Sequence, residues 1–302
     1  MSSATAHEAV RQHLIELGQR MSTSGLPVQA AARAAMDEYF TATPLPDMRC
    51  IPAAVPKLPA EWLVDESLSD ERRILFLHGG GYVAGGIKAY RNFGMWIART
   101  MRCAVLLIDY RLAPEHPFPA ALEDAVMAFR WMRGHGPLGS APARRAFVLG
   151  DSAGGGLALA TLLALRERHA DRADAAVTFS AWTDLTNSGE SMTALQDPSM
   201  GAVKAVPDLF AGLYLERTDP RNPLASPLFG ALAGLPPLLM QASTTELFRD
   251  DTVRFADKAR AAGVDVQVDL WPDLVHVWQG FAPQVPEALD ALRRAGEFIQ
   301  AI

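Results

Sequence analysis

Ser152 lies in the pentapeptide Gly150-Asp151-Ser152-Ala153-Gly154, and a serine so placed can attack a carbonyl carbon. The apolar run Ala146-Phe147-Val148-Leu149 before it reads as a buried strand, and residues 155–163 after it read as a helix. Gly-x-Ser-x-Gly between strand and helix forces a sharp, strained turn that lifts the hydroxyl out of the sheet. Small flanking residues are needed because the two backbones pass close to that turn. The helix N-terminus behind the serine offers N–H groups to a developing negative charge. Taken alone, the pentapeptide also fits a Gly-rich turn with a capping serine. A second motif decides against that. The strand pattern Leu75-Phe76-Leu77 runs directly into His78-Gly79-Gly80-Gly81-Tyr82. Consecutive glycines let a backbone approach a ligand and aim successive N–H groups into one cavity. In acyl transfer such donors hold the oxyanion of the tetrahedral intermediate. The donors read from this pattern are the N–H groups of Gly80, Gly81 and Ala153.

A serine nucleophile needs a base and a group to orient it. On an elbow of this kind the acid and then the histidine follow the serine in the chain. Of the seven histidines, only His276 lies beyond the strand pattern 237–242, after which the acid is expected. Its setting, Asp273-Leu274-Val275-His276-Val277-Trp278, is a loop after the strand pattern 264–271. Glu246 sits in the loop after 237–242, where it can reach across the sheet top. Asp250 is the alternative acid, although it stands where a helix begins and acids there are commonly caps. Thr244 and Thr245 read as turn or capping residues. His78 reads as a brace for the glycine loop, and Arg111 with Glu115 as a structural ion pair beneath the site. Asp151 gets no direct chemistry, because neighbours on a tight turn point apart, and Asp184 reads as a turn cap.

These residues need a frame to hold them. Strand patterns fall near 49–54, 60–65, 73–77, 104–108, 145–149, 174–180, 237–242 and 264–271. Helical patterns fall near 88–101, 119–133, 153–169, 250–262 and 285–300. Such alternation argues for a mostly parallel eight-stranded sheet with helices on both faces, the first two strands forming an antiparallel edge. Residues 1–45 and 188–216 break the alternation and read as helices alone. The second falls beside the carboxyl ends of the strands, where ligands bind in open sheets of this kind. The two segments are expected to form one cap over a core of residues 46–187 and 217–302. Met200, Phe210, Leu213 and Tyr214 would then wall an apolar substrate pocket, with Tyr82 contributing from the glycine loop.

Composition bounds the function. The chain has 302 residues, with 28 basic and 34 acidic side chains for a net charge of −6. No basic run suggests nucleic acid. No apolar stretch is long enough to cross a bilayer, and the first residues lack the apolar core of a signal peptide. Two cysteines, Cys50 and Cys103, make no disulfide framework, although a pairing of the two stays open. There is no Cys/His cluster at metal-ligand spacing. A cytoplasmic enzyme without cofactor is expected.

The chain resembles the bacterial hormone-sensitive-lipase-like esterases of the α/β-hydrolase fold. The resemblance rests on His78-Gly79-Gly80-Gly81, on Gly150-Asp151-Ser152-Ala153-Gly154-Gly155, and on Asp109-Tyr110-Arg111-Leu112-Ala113-Pro114-Glu115-His116, and it covers about residues 70 to 300. That family carries its acid in a block resembling Asp-Pro-Leu-Arg-Asp. The corresponding block here is Glu246-Leu247-Phe248-Arg249-Asp250, so the position matches but holds Glu. Either carboxylate can orient an imidazole. The segment Val275-His276-Val277-Trp278-Gln279 is similar to members that open terpene-derived lactones. The resemblance implies a carboxylesterase acting on short or compact esters, lactones included, through an acyl-enzyme. It also implies the helical cap and a homodimer through the last strand. Val264, Val266, Val268 and Leu270 alternate there with Asp265, Gln267 and Asp269, as on an edge with one wet face. An amidase or thioester hydrolase would use the same groups, and a non-catalytic small-molecule receptor could share the fold.

Overall fold

The computed structural model describes residues 3–40, 44–45, 47–65, 71–166, 172–195 and 204–302. The eight main strands are β1 (Met48–Pro52), β2 (Ala60–Asp65), β3 (Arg72–Leu77), β4 (Ala104–Ile108), β5 (Arg145–Asp151), β6 (Ala175–Phe179), β7 (Leu238–Ser243) and β8 (Val266–Trp271). They form one sheet in the order β1-β2-β4-β3-β5-β6-β7-β8. The β1–β2 and β2–β4 pairs are antiparallel, and the other neighbours are parallel. The strands thus match the expected pattern to within about two residues at each end, the usual scatter of element boundaries. The two-residue hairpin of His135–Gly136 with Gly139–Ser140 was not anticipated.

The central strands are apolar throughout because both faces are covered. All five residues of β4, Ala-Val-Leu-Leu-Ile, are buried. Alternate side chains enter two cores. Ile74, Phe76, Val105, Leu107, Phe147 and Leu149 point to one. Leu75, Leu77, Leu106, Ile108 and Val148 point to the other. Helices α3 (Ile87–Met101) and α9 (Pro286–Ala301) cover the first face. Helices α4 (Ala120–Gly134), α5 (Ala153–Leu165) and α8 (Arg249–Ala261) cover the second. Every residue of α5 except Ala164 is buried, as its all-round apolar sequence requires, and the Thr161 hydroxyl is satisfied by donating to the Leu157 carbonyl at 2.7 Å.

The remaining helices lie outside this layering. Helices α1 (Ser3–Thr23) and α2 (Val28–Tyr39) pack together before the first strand. Helices α6 (Ser191–Ala194) and α7 (Ala205–Leu215) lie between β6 and β7 in the chain. No described helix is long and apolar enough to cross a membrane. Cys50 is exposed and Cys103 buried, and both are free thiols.

Candidate active site

Four sheet termini deliver the site. Strand β5 ends at Asp151, and Ser152 follows with φ 52° and ψ −123°, a positive-φ backbone that is strained for a residue other than glycine. The surroundings hold it there. The Ser152 N–H donates to the Phe179 carbonyl at 2.8 Å, and the Ser152 carbonyl accepts from Trp182 N–H at 2.9 Å. Gly154 is obligatory, since a Cβ there would lie 2.0 Å from the Leu77 carbonyl oxygen. The elbow is therefore pressed onto the end of β3, from which the glycine loop starts.

That loop is fixed at nearly every polar group. The His78 Nδ1–H donates to the Gly79 carbonyl at 2.8 Å, which sets the tautomer because a carbonyl can only accept. The His78 ring stacks on Tyr110, whose hydroxyl donates to the His78 carbonyl at 2.7 Å. Burial pushes the His78 pKa down to about 4, so the ring is neutral near pH 7 and acts as a brace. The Gly80 carbonyl accepts from Ala84 N–H at 2.9 Å. Gly80 and Gly81 have φ of 105° and 65°. Among the described residues no backbone carbonyl takes the N–H of Gly80 or of Gly81.

Asp151 has a part that the sequence did not disclose. Its carboxyl is buried and faces the glycine loop, accepting Gly79 N–H and the Tyr90 hydroxyl, each at 3.0 Å. Burial pushes its pKa up to about 7 against the pull of these donors. The carboxyl ties the elbow to the loop across two strand ends. Adjacency to Ser152 is the only signal the sequence offered, and adjacency argued the other way.

Glu246 follows β7 and is fully buried. Its Oε1 accepts Ser243 N–H at 2.7 Å, and its Oε2 lies 2.5 Å from His276 Nδ1. The loop carrying His276 is knitted to the Glu246 loop. Leu274 N–H donates to the Ser243 hydroxyl at 3.0 Å, and Asp273 N–H to the Thr244 hydroxyl at 3.3 Å. Ser243 and Thr244 thus join the acid loop to the histidine loop. Asp250 is turned elsewhere, with Oδ2 accepting Ser191 N–H at 2.8 Å and Oδ1 paired with Arg249. Asp184 caps its turn as expected, accepting Thr186 N–H at 2.9 Å.

The expected Arg111–Glu115 pair does not form. Arg111 turns back onto α4 and pairs with Asp124 at 2.9 Å and Glu123 at 3.0 Å. Glu115 turns outward to Arg33 of α2, at 2.6 Å. Each takes the nearer opposite charge, and in both cases that charge lies on a helix that the sequence could not bring alongside.

Ser152, His276, Gly80 and Gly81 line one cavity of about 870 Å³ including its open mouth. Its far walls come from three helical stripes: Leu14, Leu17, Gly18 and Met21 of α1, Ala32, Ala35, Met36 and Tyr39 of α2, and Val206, Pro207 and Phe210 of α7. Of the anticipated pocket residues, Phe210 lies on this wall. Tyr82 and Tyr214 do not; they stack on each other at 3.8 Å and are buried behind it. Leu213 packs against the core and does not reach the cavity wall. Met200 lies outside the described residues. The apolar faces of α1 and α2, spaced i, i+3, i+4, i+7, carried a readable helical period and were expected in the cap, but which of their residues reach the cavity was not readable.

Known proteins share this fold. Residues 74–280 match a family described as alpha/beta hydrolase fold. An acetyl-hydrolase from Streptomyces hygroscopicus is 41% identical over 80% of this chain and 79% of its own length. An esterase from Acinetobacter venetianus is 32% identical over 76% and 75%. A crystal structure of an esterase from the bacterial hormone-sensitive lipase family superposes with a TM-score of 0.90 at 39% identity, covering 100% of this chain and 99% of that one. The chain therefore belongs to the bacterial hormone-sensitive-lipase-like esterases of the α/β-hydrolase fold, and it is a carboxylic ester hydrolase.

Proposed function

We propose that this enzyme hydrolyses short or compact carboxylic esters, lactones included, through an acyl-enzyme on Ser152. The observation that carries the reading is the 2.5 Å contact between His276 Nδ1 and Glu246 Oε2, with Ser152 and His276 on the wall of one cavity. In this reading His276 Nε2 takes the Ser152 proton as Oγ attacks the carbonyl carbon. Buried Glu246 holds the imidazole tautomer and stabilises the imidazolium. The N–H groups of Gly80, Gly81 and Ala153 receive the oxyanion; loss of one such donor costs about 3–4 kcal/mol. His276 then protonates the leaving alcohol. Water, activated by the same imidazole, releases the acid and restores Ser152. No cofactor enters the cycle.

Residues 1–45 and 188–216 act in this reading as one cap, since helices from both contribute to the cavity wall. Short substrates are supported by Phe210, which crowds the oxyanion loop, and by relatives. One relative is named an acetyl-hydrolase, and the related esterase EstE5, 36% identical, was crystallised and soaked with p-nitrophenyl butyrate. A reducing, cytoplasmic setting fits two unpaired cysteines. Strand β8 pairs on one side only and presents Leu270, 45% exposed, so a symmetric dimer through this edge is part of the proposal.

The test is turnover of p-nitrophenyl acetate through palmitate, with labelling by a fluorophosphonate. Short esters should be favoured, and the label should map to Ser152 by mass spectrometry. A label elsewhere, or a preference for palmitate, overturns the reading. Light scattering at high micromolar concentration should give a dimer that a Gln267→Pro variant shifts toward monomer.

A further inference from the structure

Gly18 is an anomaly in α1. Glycine is the poorest helix former after proline, and Gly18 lies inside a 21-residue helix. Its backbone does not require glycine, since it is absent from the residues with positive φ. Packing does not require it either, since a Cβ built there would meet nothing within 4 Å. Most glycines around Ser152 are the reverse, with a neighbouring atom already where a Cβ would go. What a side chain at Gly18 would fill is the cavity, because Gly18 is on its wall between Leu14, Leu17 and Met21.

The cavity is unequal at its two ends. Toward α7 it is shut tight, since a Cβ on Gly81 would come within 2.2 Å of the Phe210 ring. On the α1 side no such contact closes it at Gly18, where a Cβ would meet nothing within 4 Å. A second depression between α1 and α2 shares Leu17, Met21 and Ala35 with the first as walls. The α1 and α2 side chains of the inner part are aliphatic or thioether, apart from Tyr39 and Phe40, and none is charged. A wall of this kind takes an uncharged, apolar chain. The charges begin at the outer depression, where Arg20 and Glu38 pair with each other at 2.7 Å.

We propose that Gly18 is the gauge of substrate length: an apolar arm of the ester leaves the reacting carbonyl, runs out between α1 and α2, and passes over the gap that Gly18 leaves in the wall. The proposal rests on Ser152 being the nucleophile and adds which residue limits the arm.

The test compares Gly18→Ala and Gly18→Leu with the parent enzyme in two series, p-nitrophenyl acetate to octanoate and methyl to octyl butyrate. The readout is the ratio of kcat/KM for the longest to the shortest member. In at least one series the ratio should fall roughly tenfold for Gly18→Leu, the scale on which methylenes are felt in an apolar pocket. It should fall less for Gly18→Ala, which favours the helix and guards against a folding defect. Gln19→Leu, exposed on the neighbouring face, should leave both ratios unchanged. Ratios within about twofold of the parent in both series for Gly18→Leu, or for Gly18→Ala where Gly18→Leu does not fold, overturn the gauge, as does a parent that accepts no long member. Loss of p-nitrophenyl acetate turnover in Ser152→Ala reports separately on the nucleophile. If Ser152 is not needed, the site reading fails and the gauge falls with it; if Ser152 is needed and the ratios stand still, the gauge alone fails.

Discussion

The sheet end that carries Ser152 and the helical wall that faces it are built on opposite terms. At the sheet end each group is held from several sides. Gly154 has no room for a methyl group, His78 is stacked and hydrogen-bonded, and Glu246 is buried with one oxygen on Ser243 N–H and the other on His276. The wall is held by thinner means. Arg33 of α2 reaches Glu115 and the carbonyls of Val83 and Ala113, Asp37 reaches Lys88, and Arg20 joins α1 to α2, all through half-exposed or exposed side chains. A methyl group on Gly18 in that wall would touch nothing within 4 Å. The difference follows from what each must do. A reaction needs its groups placed to within a fraction of an ångström, whereas an apolar arm needs only a slot of the right width.

The contrast is broken most directly at the sheet end. Ser152→Ala should lower kcat by roughly 10⁴-fold or more while the melting temperature holds. Glu246→Gln should follow with a loss of about 10²- to 10⁴-fold, because the imidazole would lose its tautomer. Asp250→Asn should lose less than about tenfold, its carboxyl being turned to Ser191. The reverse ranking in kcat would move the acid to Asp250.

Gly81→Ala probes the seam between the two regions. Its Cβ would strike Phe210, and its φ of 65° strains any other residue. A loss of about 10²-fold in kcat is expected, the scale of one oxyanion donor. Adding Phe210→Ala should restore part of it. A double variant no better than the single one means that the seam is not a contact but backbone strain alone.

A buried carboxyl should set the pH dependence of stability. Asp251, fully buried under Thr183 and Asp184 N–H donors, has its pKa pushed up to about 8 by burial and by the nearby Asp184 charge. The folded state therefore binds that proton more tightly than the unfolded state. The stabilisation is complete below the ordinary aspartate range and is lost as pH rises through about 8. Melting temperatures should decline as pH rises from about 6 to 8, a range in which Asp151 also contributes, and Asp251→Asn should make that decline shallower. An equally steep slope in the variant would remove Asp251 as its source.

The smallest effect is expected at the wall. Arg33→Met should lower stability by under about 1 kcal/mol, because the pair with Glu115 is half exposed, and 1 M salt should shrink the difference. A change in kcat as large as that of Gly81→Ala would mean that the wall also positions the reacting groups, and the two regions would then be one device.

The sequence by itself determined where the strands fall along the chain, the elbow, the glycine loop and His276. These depend on local rules: apolar runs bounded by glycine, a left-handed turn that only small neighbours allow, and a chain order with one histidine left over. It favoured Glu246 and kept Asp250 as the alternative, because both carboxylates follow β7 within a few residues, and the fold shows which one meets the imidazole. It could not turn Asp151 toward Gly79, pair Glu115 with Arg33, or send Tyr82 and Tyr214 behind the wall instead of onto it. Those outcomes join residues more than 70 positions apart in the first two cases, and more than 130 in the third, where hydrophobic period says which face of an element is buried but not what it is buried against. The helices of the first 45 residues show the same limit in part. A cap built from them was expected, but only tertiary packing shows which of their side chains wall the cavity that opens at Ser152.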